Sequence, residues 1–81
     1  MHFEWSRAKA ESNRRKHKVT FDEAVSAFYD PDSPPGEERL ITVGHSSRAR
    51  LLVVVHTEQG ETIRIISARL ATAHERKRHE S

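Results

Sequence analysis

"LLVVVHTEQGETIRIISAR", residues 51–69, decides how this chain folds. Leu51, Val53 and Val55 alternate with Leu52 and Val54, so a strand here is apolar on both faces and belongs in the middle of a sheet. Gln59 and Gly60 mark a turn, and "TIRIISAR" runs back as an antiparallel partner. The returning strand carries an arginine at each end of "RIISAR". Each guanidinium stays charged at any working pH and offers a planar fork of donors suited to phosphate or carboxylate. Residues five apart on a regular strand point to opposite faces. If Arg64 and Arg69 serve one anion, the chain must twist, bulge or leave the sheet near Ser67 and Ala68.

Working outward, "RLITVGHS" (39–46) adds a strand before this hairpin, joined to it by "SSRA", and completes an antiparallel meander. "HFEW" (2–5) is a further short strand. Ser6 caps a helix over "RAKAESNRRKH" (7–17), which lacks large apolar residues. Lys9, Asn13 and Lys16, with His17 beside them, give it a polar stripe, while Ala8, Ser12 and Ala10 are left to pack. "VTFDEAVSAFYD" (19–30) predicts a second helix, with Thr20 and Glu23 as capping box, Val19 and Ala24 as staple, and an apolar face of Phe21, Ala24, Val25 and Phe28. Asp30-Pro31 ends it, and "DPDSPPGEE" (30–38) reads as a loop. The last segment, "TAHERKRHES" (72–81), has a capping box in Thr72 and Glu75 but no apolar face, so it is frayed or held by something other than burial.

The chain has 81 residues and no cysteine, which leaves room for one domain over 1–81 and excludes disulfides and thiolate metal sites. A domain this small buries roughly 60 to 65% of its unfolded surface, so a deep ligand cavity is not expected. With no apolar run long enough for a membrane span and no signal-like N-terminus, a soluble cytoplasmic protein is expected. The net charge of +2 conceals a segregation: residues 1–18 carry six Lys/Arg against two acids, 19–47 one against six, and 64–81 five against two. If the two basic ends meet in the fold, they form the electrostatic footprint of a nucleic-acid binder; otherwise they are a solvated, salt-bridged surface.

"FEW" with Lys9 and Asn13, then "RKH" before "VTFDEA", "GEER", "LLVVVHTE", "IRIISAR", "AT" and "ER" together resemble the BrnT family of toxins along nearly the whole chain. The resemblance implies an α+β, RelE-like ribonuclease fold: a small, mostly antiparallel sheet, two N-terminal helices packed on it and a short C-terminal helix. It also implies a toxin that cleaves RNA, inhibits translation and is neutralised by a BrnA-like ribbon-helix-helix antitoxin, with DNA engaged only through that antitoxin and no membrane. Two departures stand out. A strand-length stretch that family members carry between "DP" and "GEER" is missing, and His79 stands where the family tends to have tyrosine. The alternative is a catalytically weakened nucleic-acid-binding or corepressor subunit.

Metal-free cleavage by the ribose 2′-OH needs a base, an acid and fixed positive charge on the phosphorane. Arg64 and Arg69, on a rigid strand, suit the last role, and by resemblance Lys16, His17 and Glu75 join them in one shallow groove. Trp5, Lys9, Asn13, Arg76 and His79 are the expected RNA contacts. Each has a plainer use: Arg69 can cap the sheet edge against an acid, His17 can satisfy helix carbonyls, and Trp5 can pack under the helices. His45 and His56 read as edge or core residues. No cofactor and no metal are expected, because His74 and His79, five apart on a helix, point away from each other.

Overall fold

The computed structural model describes residues 2–30 and 41–80. Its order is β1 (His2–Glu4), α1 (Arg7–His17), α2 (Phe21–Ala27), β2 (Ile41–His45), β3 (Leu51–Gln59), β4 (Thr62–Leu70) and α3 (Ala73–Glu80). The four strands form one sheet in the order β1-β4-β3-β2, with β1 parallel to β4 and the other pairs antiparallel. This is the α+β arrangement read from the sequence. β3 lies inside the sheet, as its two apolar faces require, and Leu51 to Val54 are all buried. Gly60 turns the hairpin at a φ of 61°, a left-handed conformation that favours glycine. The missing strand-length stretch falls within 31–40, outside the described residues.

The helix side of the sheet holds the main core. Leu52, Val54, Ile65 and Ala68 pack against Val19, Phe21, Ala24 and Ala27, with Phe3, Trp5, Ala10, Val25 and Phe28 at its margin. The Thr20 hydroxyl caps α2 by accepting from the Glu23 N–H at 3.1 Å, the first half of the expected capping box, while the Glu23 carboxylate turns to Ser46 and Arg50. That helix ends at Ala27, earlier than the sequence suggests. Phe28, Tyr29 and Asp30 donate to carbonyls three residues back, which tightens the winding and keeps Phe28 on the core. On the opposite face, Leu51, Val53 and Ala71 form a smaller cluster with Val43.

α1 departs from its expected packing. Ala8 and Ser12 are exposed, while Ala10, Asn13 and His17, at i, i+3 and i+7, turn inward. Asn13 is 6% exposed and replaces a strand partner: its amide accepts from Ala68 N–H at 3.0 Å and donates to Ala68 O at 2.8 Å and Val19 O at 3.0 Å. β1 pairs with β4 only over 62–64, and further along α1 covers the bare outer edge through this one side chain.

Candidate nucleic-acid interface

The break demanded by "RIISAR" is present, slightly earlier than expected. Val55 pairs with Ser67 but His56 pairs with Ile65, so Ile66 is the extra residue of a bulge in β4. The bulge changes the parity of everything after it. Arg64 opposite Thr57, Ser67 opposite Val55 and Arg69 opposite Val53 therefore lie along one face. That face is the one turned away from α2.

Beside the bulge, Lys9, Ser12, Asn13, Lys16 and His17 of α1 meet Ile66 and Ser67 of β4 around a shallow groove of about 220 Å³. The polar stripe of α1 thus faces a strand wall, and the row on that strand continues from Ser67 to Arg69. Lys18 closes α1 in the left-handed region at φ 60°, its N–H bonded to Arg14 O at 3.0 Å. Arg14, Arg15, Lys16 and His17 fill the last turn, where cations complement the helix dipole.

The five expected catalytic residues are only partly gathered. Lys16 and His17 line the groove, whereas Arg64, Arg69 and Glu75 do not. Arg64 Nη1 is 3.2 Å from Glu4 Oε1 in an exposed pair. Arg69 makes a two-pronged pair with Glu75, Nη1 to Oε1 at 2.8 Å and Nη2 to Oε2 at 3.0 Å. Glu75 also accepts from Thr72 N–H at 2.8 Å while Thr72 Oγ1 accepts from Glu75 N–H at 3.1 Å, so the capping box forms as predicted. The Arg69 guanidinium, then the Thr72 N–H, pull the Glu75 pKa down to about 2. Glu75 is thus a firmly ionised anchor for Arg69 at neutral pH.

The expected RNA contacts divide likewise. Lys9 lines the groove, Asn13 is occupied with backbone, and Trp5 packs edge-on against Phe21 with ring centres 5.9 Å apart. Arg76 is exposed on α3, and His79 meets the His45 ring at 5.7 Å. The helix α3, tied to β4 at Arg69 and to β2 at His45, reaches across the face that α2 leaves open. The two basic ends are therefore not stacked side by side: α1 docks at the outer edge of β4, and α3 carries its charges towards the other edge.

Two side-chain clusters were missed by sequence reasoning, while one core histidine agrees with it. The buried Glu23 carboxylate receives Ser46 Oγ at 2.6 Å, Arg50 Nε at 2.9 Å and a further bond from Arg50 Nη2. These bonds, Arg50 foremost, hold its pKa below the usual range. His56, 2% exposed, bonds Thr42 Oγ1 through Nε2 at 2.9 Å, and burial lowers its pKa, leaving a neutral core imidazole as expected of a core residue. Finally, Asp30, His45 and His79 place one potential ligand atom each within 4.8 Å of one another. Sequence spacing could not reveal this group, since its members come from three separate segments.

The described residues thus form an α+β domain with a polar groove at a bulged strand edge, and its two basic ends do not join into one patch. Residues 5–75 match the family described as the ribonuclease toxin BrnT of type II toxin-antitoxin systems, and the chain belongs to that family. The crystal structure of the Brucella abortus ribonuclease toxin BrnT is similar in fold, with a TM-score of 0.70 at 23% identity over 89% of this chain and 97% of that one. No curated protein matches the sequence.

Proposed function

We propose that this chain is a cytoplasmic endoribonuclease toxin that cleaves RNA without metal, inhibits translation and is silenced by a BrnA-like ribbon-helix-helix antitoxin. Family membership supports a ribonuclease toxin with an antitoxin partner. Among the structural observations, the bulge at Ile66 carries the proposal: it sets Arg64, Ser67 and Arg69 in one row, and Ser67 also walls the groove that holds Lys16 and His17. A phosphate at this edge meets Lys16 from the helix and the arginine row from the strand. His17, an imidazole beside the groove, takes the 2′-OH proton as the oxygen attacks phosphorus. The arginines and Lys16 stabilise the phosphorane charge, the P–O5′ bond breaks to leave a 2′,3′-cyclic phosphate as His17 hands its proton to the departing 5′-oxygen, and Glu75 positions Arg69 instead of touching RNA.

The test is cleavage of labelled RNA by the purified protein in EDTA. Arg69→Ala and Lys16→Ala should each lower the rate about 100-fold, and Arg69→Lys about tenfold, since lysine keeps the charge but loses the fork. Cleavage by Arg69→Ala at the parent rate would remove Arg69 from the site. The engagement of both arginines by carboxylates favours a second reading, a subunit that binds nucleic acid or acts as a corepressor through the antitoxin, touching DNA only indirectly. Salt-sensitive RNA binding without cleavage would support it.

A further inference from the structure

We propose that Asp30, His45 and His79 form a site for a divalent transition metal of the zinc class, which clamps the C-terminal end of α3 to the sheet. Asp30 follows α2, His45 ends β2 and His79 lies in the last turn of α3, so a metal here joins three elements through one point. Two imidazoles and a carboxylate suit zinc and its neighbours, whereas magnesium and calcium favour all-oxygen sets.

The geometry is close to what coordination needs. Zinc bonds of about 2.0 to 2.1 Å imply ligand atoms roughly 3.3 Å apart in a tetrahedron. Asp30 Oδ2 and His45 Nδ1 already stand 3.1 Å apart, and all three ligand atoms lie within 4.8 Å. Moving the His79 ring inward by up to about 1.5 Å would complete a three-ligand set, with water in the fourth position. The carboxylate is held in place, because Asp30 Oδ2 also accepts from the His45 N–H at 2.6 Å and the Asp30 side chain is only 7% exposed.

A second observation comes from α3 itself. Over 73–79 every residue is exposed except Glu75 and His79, so burial does not hold this helix. Glu75 pins one end to β4, and His79 makes a contact at the other. A metal at His79 turns a ring contact into a firm bond and so fixes both ends. The site lies at β2, away from the α1–β4 groove, and the inference does not depend on RNA cleavage.

The experiment is titration of untagged, chelator-treated protein with ZnCl₂, followed by calorimetry, thermal melting and amide exchange. We expect one equivalent to bind, slower exchange in α3, and a Tm rise of roughly 10 to 20 °C at about a hundred times Kd. CoCl₂ should give the visible absorption of a tetrahedral site. His79→Ala and His45→Ala should abolish the one-equivalent binding, and His74→Ala, an exposed neighbour on α3, should retain it. The His79→Ala variant keeps the sheet intact, so its circular dichroism separates lost ligation from lost folding. Absence of saturable binding in the parent, or binding that survives His79→Ala, overturns the clamp.

Discussion

The two faces of the sheet each hold an arginine fork on a glutamate, and the two pairs differ in what surrounds them. On the α2 side, Glu23 is enclosed with a side chain 5% exposed, and its partner Arg50 is also tied to Lys18 O at 3.1 Å. On the open side, Arg69 and Glu75 are 41% and 33% exposed and join a strand to a helix with almost no buried surface. Enclosure makes the first pair part of the framework, since Glu23 without Arg50 would be a carboxylate that water hardly reaches. Exposure leaves the second pair open to solvent, so a phosphate can approach the Arg69 guanidinium while Glu75 holds it in place.

The comparison breaks most sharply at Glu23. Glu23→Ala leaves Arg50 and Ser46 without their acceptor and should cost about 3 kcal/mol in urea unfolding, near the lower end for a broken buried pair because Arg50 keeps some solvent access. A loss below about 1 kcal/mol would show that the α2-side pair is no more structural than the open one. Next in size is Asn13→Ala, which strands Ala68 N–H and O and one contact of Val19 O at the β4 edge. It should cost about 2 kcal/mol. It should also speed amide exchange at Ala68 more than at its neighbours, which a general loosening of α1 would not do.

These cases also show what was legible in the sequence. Period-two runs and capping boxes are local, so the strands, Thr20–Glu23 and Thr72–Glu75 could be read directly. "RIISAR" held a parity conflict that forecast the bulge, though not the face it would serve. Asn13 was legible as part of a polar stripe, but its burial depends on the bare stretch of β4, which leaves no local signal in the chain. Glu23, Ser46 and Arg50 meet across three segments, as do Asp30, His45 and His79. Long-range pairing of this kind leaves no spacing in the chain to detect.

The smallest expected effect lies at Glu75 and separates the two faces by pH. Its pKa in the folded protein, about 2, lies below the ordinary value of 4.5. A group whose pKa falls on folding stabilises the fold while ionised in both states, so its contribution is complete above about pH 5 and fades as pH drops through 4.5 towards 2. Because Arg69 and Glu75 are well exposed, solvent screening keeps this contribution below about 1 kcal/mol. Glu75→Gln removes the charge at similar size. Parent and variant should therefore differ modestly in α3 amide protection at pH 7 and converge as the pH approaches 2. If the gap persists undiminished at pH 2, the helix is held by the shape of the capping box and not by the ionised pair, and the open face would then resemble the α2 side more than its exposure suggests.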